Sequence, residues 1–401
     1  MKILIMRASN TMNYGALMMV AIYIAKCKEK NPNASFIVDN VEKNGLNRIK
    51  FESGVEEIES FNELGVKLRP DCEGDSNILK LFKYLKYSVL FGSSIKALGV
   101  DKVVQLGGDD FSEYYSIKAL VIEFIKILSL TWKGINTTLV GQTIGPFRSW
   151  RIRLARFVFD KVKIYTRDEN CKNYLIKEIG LTNVESSKDL AYLPLPKQGS
   201  KDVVGQADLI LNYASEYITL VPSGLWKSYT DKRDDYISNW VDLINELHER
   251  NEKVMLLAHV ISDTSDDRKA IDSILKRLPV GVKDRLIVVD QVISAALARE
   301  LISRSRLVIS GRMHACVSAL QTLTPTIPLS YSIKFKGVIG ELPVENYIIE
   351  CGHEELWPKV QLKNKVIDLI DKIDLLDIKD FRERVSSALS EVEIKSAKQI
   401  I

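Results

Sequence analysis

Leu307-Val308-Ile309-Ser310-Gly311-Arg312-Met313-His314-Ala315-Cys316-Val317-Ser318-Ala319-Leu320 is the stretch from which the rest of the chain is best read. Its first three residues are apolar and β-branched enough for a buried parallel strand, and the residues after Arg312 carry the small and apolar pattern of a helix. Arg312 and His314 therefore fall at a strand-to-helix turn. The first N–H groups of a helix lack intrahelical partners and its dipole is positive there, so the position favours an anion. A fixed cation beside a titratable imidazole suits proton transfer on a phosphorylated or carboxylated small molecule. Taken alone, Arg-x-His also fits a buried histidine bonded to a carbonyl. After a further apolar run at 326–330 comes Tyr331-Ser332-Ile333-Lys334-Phe335-Lys336-Gly337, which brings more cations to the same end of the sheet.

The same unit recurs outward from this stretch. Residues 3–6 read as a strand, followed by the loop Asn10-Thr11-Met12-Asn13-Tyr14-Gly15-Ala16 and an apolar helix over 17–27. Residues 35–39 read as a second strand, and the polar segment up to residue 75 as irregular or a short helix. A strand at 102–106 enters Gly107-Gly108-Asp109-Asp110, where paired glycines allow a ligand close to the backbone. The two aspartates suit sugar hydroxyls or the cap of the helix at 117–132. A strand at 138–140 enters Gly141-Gln142-Thr143-Ile144-Gly145-Pro146-Phe147, and one at 162–166 ends at Arg167-Asp168-Glu169, leaving Arg167 as a candidate ligand contact. A Pro/Gly/Ser stretch at 193–200 reads as a linker. Beyond it, strands at 217–222, 254–259 and 286–289 alternate with helices at 234–250, 270–278 and 294–304.

Repeated strand-helix units on both sides of a linker describe two doubly wound, Rossmann-like α/β domains. The expected division is 1–196 and 197–375, with a helical tail at 376–401 packing back. In such folds ligands sit at the carboxyl ends of strands, which for two domains means the cleft between them.

Composition narrows the functional classes. At 401 residues the chain suits two cores, and 46% hydrophobic with 27% charged residues excludes wholesale disorder or a membrane-embedded fold. A net charge of +4 does not argue for nucleic acid; an anionic ligand or membrane surface fits as well. The five cysteines, at 27, 72, 171, 316 and 351, lack CxxC spacing, which argues against a disulfide framework or zinc site and for reduced thiols in a cytoplasmic enzyme. The N-terminal apolar run is too short for a signal peptide, and no stretch of about 18 apolar residues exists to span a bilayer. Residues 77–98 alternate apolar and basic side chains; an anionic membrane face, a partner groove and plain solvent are competing uses. Residues 148–157 read as a basic helix, either a solvated face or a cationic lip. Of the other histidines, His248 reads as surface, His259 ends a strand near Asp263 and is a candidate to line the cleft, and His353 falls in a loop-like, structural region.

These residues together resemble the polysaccharide pyruvyl transferase family over roughly 13–337. The resemblance lies in Asn13-Tyr14-Gly15-Ala16, Gly107-Gly108-Asp109-Asp110, Gly141-Gln142-Thr143-Ile144-Gly145-Pro146, Thr166-Arg167-Asp168-Glu169, Arg312-Met313-His314, and Tyr331 with Lys334 and Gly337. The family more often has a third glycine at Asp109 and an Asp-Pro at Ser332-Ile333. The resemblance implies two Rossmann-like domains in a GT-B-like arrangement. It also implies transfer of a pyruvyl group from phosphoenolpyruvate to two hydroxyls of a sugar, with release of phosphate. Arg167, Arg312 and Lys334 would bind the donor, with Arg312 and His314 catalytic and His314 the acid. Asn13, Tyr14, Gly108, Asp109, Asp110 and Gln142 are the acceptor-side candidates, and the general base is open among Asp109, Asp110 and Glu113. The scheme calls for no metal and no cofactor. The acceptor would be a sugar or lipid-linked oligosaccharide of a cell-surface polymer, met in the cytoplasm or in peripheral contact with the inner face of the membrane. The competing readings are a GT-B-type glycosyltransferase using a nucleotide sugar and a non-catalytic glycan-binding protein. Against the first, residues 315–324 contain no acid to hold ribose hydroxyls.

Overall fold

A computed structural model describes residues 1–39, 43–67, 70–108, 111–113, 116–212, 214, 216–262, 265–332, 334–340, 342–352, 354–358 and 361–400. Asp109, Asp110, Asp263, Ile333 and His353 lie outside the described residues, as do the side chains of Lys334 and Glu354. The chain divides into two compact units. One is Met1–Thr11 with Met19–Leu190 and Lys395–Ile401; the other is Met12–Met18 with Ala191–Ile394.

The first unit is built from β1 (Lys2–Met6), α1 (Tyr14–Lys30), β2 (Ser35–Val38), α2 (Lys43–Ser53), β3 (Ile58–Ser60), α3 (Asn77–Ala97), β4 (Lys102–Leu106), α4 (Ile117–Trp132), β5 (Asn136–Gln142), α5 (Trp150–Phe159), β6 (Lys163–Thr166), α6 (Glu169–Tyr174) and β7 (Val184–Ser186). Its described strands form one parallel sheet in the order β3-β2-β1-β4-β5-β6-β7. Strands flanked on both faces must be apolar nearly throughout, and β4 is buried along its whole length. The polar segment before residue 75 holds α2 and β3, because Leu46, Ile49 and Ile58 give it buried anchors. Connections β3 to β4, β4 to β5 and β5 to β6 all step toward β7. Right-handed crossover therefore puts α3, α4 and α5 on one face of the sheet, where α4 packs against both neighbours. Ser129 draws α3 and α4 together: its Oγ donates to Val89 O (2.6 Å) and accepts from Gly92 N (2.9 Å). A Cβ at Gly92 would lie 2.1 Å from Ser129 O, so the crossing requires glycine. Near the C-terminus, Gln399 Nε2 donates to Lys188 O (2.7 Å) and Ser396 Oγ to Asp189 O (3.1 Å).

The second unit follows with α7 (Lys201–Leu211), β8 (Tyr217–Val221), α8 (Arg233–Glu249), β9 (Lys253–Leu257), α9 (Arg268–Arg277), α10 (Val280–Lys283), β10 (Ile287–Val289), α11 (Ala295–Ser303), β11 (Leu307–Ser310), α12 (Met313–Gln321), β12 (Thr326–Ser330), α13 (Lys334–Ile339), β13 (Ile349–Glu350), α14 (Gln361–Asp374) and α15 (Ile378–Ala397). Its described strands are again parallel, in the order β10-β9-β8-β11-β12-β13. Residues 193–195 begin the Pro/Gly/Ser stretch, yet Leu193 and Leu195 are buried, as are Ala191 and Tyr192 just before it. The cause is Arg299 on α11, itself fully buried, whose guanidinium donates to Ala191 O (2.6 Å) and Leu193 O (3.0 Å). A buried charge must be hydrogen-bonded, and these carbonyls serve it. Among the described residues no helix is long and apolar enough to cross a membrane.

Asp39 closes the end of β1. Its carboxylate is buried and accepts from Arg7 N (2.6 Å) and Ala8 N (2.9 Å), where Arg7 adopts φ 70°. Burial pushes its pKa up to about 6, opposed by those two N–H groups. The folded state thus holds this proton to higher pH than the unfolded chain, where the value is about 3.9. The stability it contributes is full below that value and is lost as pH rises through about 6, by up to about 3 kcal/mol. Denaturant unfolding across this range should show the wild type losing stability relative to Asp39→Asn as pH rises. A pH-independent difference would contradict the assignment.

Candidate functional site

Arg312 and His314 occupy the turn from β11 into α12, as the sequence pattern requires. Arg312 is the residue before the helix, in extended conformation (φ −111°, ψ 117°). Ser310 shapes the turn: its Oγ accepts from Arg312 N (2.8 Å) and donates to Arg312 O (2.9 Å). The guanidinium is nearly buried and grips Asp267 through Nε (3.0 Å) and Nη2 (2.6 Å), while Nη2 also donates to Ser265 O (2.7 Å). Its Nη1 donates to none of the described residues, so one corner of the fork is left for a ligand.

Asp267 has no exposed surface and collects more than this arginine. Its oxygens accept from Gly224 N (2.7 Å), Val260 N (2.8 Å) and His259 N (3.1 Å). One carboxylate therefore ties together the segments that follow β8, β9 and β11 at the carboxyl edge of the sheet. Burial raises its pKa, and the Arg312 charge and the N–H donors act against that rise.

The segment Met12–Met18 supplies the other wall. Ile261 N donates to Met12 O (2.8 Å), Tyr14 N to His259 O (3.2 Å), and Asn13 pairs with Val260 in an antiparallel bridge. Asn13 Oδ1 accepts from Gly15 N (3.1 Å), which starts α1 at Tyr14 rather than at residue 17. Tyr14 is buried, its Oη accepting from Ile293 N (3.0 Å) and its ring meeting His259 edge-on at 5.4 Å. Gly15 faces His314 directly: a Cβ there would come within 2.2 Å of the imidazole Cγ and Nδ1. The sequence feature Asn13-Tyr14-Gly15 and the distant Arg312-Met313-His314 thus form one site.

His259, a candidate to line the cleft with no role assigned from the sequence, belongs to this site. It is buried, and its Nε2 has no hydrogen-bond partner among the described residues. Burial, then the neighbouring His314, Arg312 and Arg299 charges, hold its pKa well below the ordinary histidine value, so it is neutral. The signal available was position: it ends β9 just as Arg312 ends β11. On the far side of the turn, Tyr229 Oη donates to Gly311 O (2.5 Å), and its ring meets Tyr331 at 5.1 Å. Lys334 opens α13.

The remaining candidates gather in the first unit. Thr143 N donates to Gly108 O (2.9 Å) and Arg167 N to Gln142 O (3.2 Å). Arg167 is buried, donating through Nε to Thr143 Oγ1 (2.8 Å), with Nη1 at 3.6 Å from Asp189 Oδ2. Gln142 Nε2 donates to Gln105 O (3.1 Å), and its Oε1 is buried without a partner among the described residues. Asp168 caps α6 through Cys171 N (2.7 Å). Glu113 is engaged by Arg151. Among the described residues no His, Cys, Asp and Glu side chains gather as a metal-ligand set.

These features define a protein of two parallel α/β units, one of which presents an arginine and a histidine at the carboxyl edge of its sheet. Solved structures share that architecture. UDP-GlcNAc 2-epimerase from Neisseria meningitidis matches with a TM-score of 0.64 at 13% identity, over 99% of this chain and 98% of that one. The same enzyme from Methanocaldococcus jannaschii matches at 0.57 and 14%, over 98% and 99%, and MurG from Acinetobacter baumannii at 0.51 and 14%, over 100% and 99%. The likeness is one of fold, the GT-B-like architecture of sugar-nucleotide epimerases and transferases. Residues 13–333 match the polysaccharide pyruvyl transferase family, and the chain belongs to it. The amylovoran biosynthesis protein AmsJ of Erwinia amylovora is 26% identical over 257 residues, 60% of this chain and 59% of that protein. The chain thus spans less than two thirds of the length of that relative.

The packing of Gly15 against His314 sets one prediction. Gly15→Ala should displace the imidazole and cost activity at least about tenfold with little change in fold, as judged by circular dichroism; unchanged activity would contradict the contact. A second follows from the buried pair. Asp267→Asn leaves the Arg312 charge uncompensated and should cost about 3–5 kcal/mol in denaturant unfolding.

Proposed function

We propose that this protein transfers the pyruvyl group of phosphoenolpyruvate to two hydroxyls of one sugar in a cell-surface polysaccharide or its precursor, releasing phosphate. The observation that carries the reading is the β11–α12 turn, where Arg312 is fixed by Asp267 and His314 is packed against Gly15. Phosphoenolpyruvate brings a phosphate and a carboxylate. Arg312 Nη1 and the N-terminus of α12 are suited to one of them, with Arg167 and Lys334 as further cations. His314 donates a proton to the methylene carbon, which makes C2 electrophilic. A sugar hydroxyl adds to C2 and loses its proton; phosphate departs as the second hydroxyl adds and loses its own. The products are a cyclic ketal bearing a methyl and a carboxylate, and inorganic phosphate. Neutral His259 has a positioning role, placing no second positive charge beside His314 before the donor arrives. Gln142, Gly108, Asn13 and Tyr14 are the acceptor-side candidates, with Asp109 and Asp110. An acceptor of the exopolysaccharide kind fits the relative named for amylovoran biosynthesis.

The test is phosphate release from phosphoenolpyruvate with a panel of glycan intermediates. The native protein should release phosphate only when an acceptor is present, and His314→Ala should lower kcat by about 10²–10⁴-fold. Release of a nucleoside diphosphate from a sugar nucleotide, with none from phosphoenolpyruvate, would overturn the reading in favour of glycosyl transfer.

A further inference from the structure

One face of the first unit is unusual in what it exposes. Along α3, Ile78, Phe82 and Val89 recur at a helical stripe and are 83%, 64% and 52% exposed. They lie opposite the stripe of Ser88, Phe91 and Ile95 that packs inward, so α3 is apolar on both sides. Across α4, the helix α5 turns Trp150 (58% exposed) and Phe157 (52%) outward on a second stripe. Each of these rings carries a cation: Arg151 Cζ lies 5.7 Å from the Trp150 ring and Lys161 Nζ 4.6 Å from the Phe157 ring.

Charge on the face is one-sided. Three of its acids are matched from within, Asp75 by Lys83 (2.6 Å), Glu113 by Arg151 (2.5 Å) and Glu123 by Lys126 (3.0 Å), which leaves exposed Asp160 at the end of α5. Exposed Lys86, Arg153 and Lys161 outnumber that one acid. Large apolar side chains with amphipathic tryptophan and surplus cations match the chemistry of an anionic bilayer interface, where each part has a favourable partner. A protein groove would ask for the apolar stripe without the fringe of long cationic side chains.

We propose that the α3–α5 face docks the protein on an anionic phospholipid surface, with Phe82, Val89, Trp150 and Phe157 entering the headgroup region and Lys86, Arg153 and Lys161 meeting lipid phosphates. The inference is independent of the pyruvyl-transfer reading, since it concerns a different surface and a different ligand. It deepens that reading in one respect: a docked enzyme meets its acceptor as a lipid-linked saccharide.

Flotation of the full chain with phosphatidylcholine vesicles, with and without phosphatidylglycerol, tests it. The protein should float with the anionic vesicles, lose them as salt is raised, and ignore phosphatidylcholine alone. Phe82→Ser with Val89→Ser, and separately Trp150→Ser with Phe157→Ser, should weaken partition at least about tenfold. Because these side chains are already in solvent, the fold should persist, and phosphate release with a soluble acceptor fragment should stay at the native rate. Equal flotation of native and variant proteins, or no flotation, overturns the proposal. So does light scattering that finds a native dimer which the same variants convert to monomer, because the face would then join two copies. Loss of vesicle binding with retained phosphate release, or the reverse, tells the failure of one reading from that of the other.

Discussion

The bidentate pair between Arg312 and Asp267 is the constraint on which the second unit's site depends. Two opposite charges taken out of water are stabilising only when geometry is good and the remaining lone pairs are used. Asp267 meets that condition by accepting the backbone of Gly224, His259 and Val260 besides the guanidinium. The carboxylate is therefore a joint between loops from several strands as well as a counter-ion. Because Val260 also pairs with Asn13, the joint fixes Tyr14 and Gly15, and through Gly15 the plane of His314. A single buried acid thus sets where the imidazole can stand.

The imidazole pair gives this joint its chemical use. His259, His314 and Arg312 meet past the carboxyl ends of the strands, with the buried Arg299 charge acting on His259 as well, and burial keeps His259 neutral. What remains is a fixed guanidinium beside the N-terminus of α12, both suited to an anion.

Much of this was legible in the sequence because the signals are local. Apolar β-branched runs bounded by small residues placed the strands now seen as β1, β4, β8, β11 and β12, and the turn after β11 marked Arg312 and His314 at once. Gly15 was legible only as part of a short motif; the reason for a glycine there is a ring almost the whole chain away. Asp267 was hidden for the opposite reason. A loop with several aspartates offers no local sign of which one is buried, and Asp267 is decided by a partner 45 residues on. Arg299 reads as an ordinary helical arginine until the carbonyls of Ala191 and Leu193 are seen around it. The weaker strands β3 and β7 are hidden because each carries a single apolar residue, whereas the equally short β10 is apolar throughout.

A crystal structure of the protein with phosphoenolpyruvate bears most directly on the central claim. The account predicts an anionic group of the donor hydrogen-bonded to Arg312 Nη1 at the start of α12, with its methylene carbon facing His314 and the Arg312–Asp267 pair intact. A donor seated away from this turn, or a ligand that displaces Asp267 from Arg312, would contradict it.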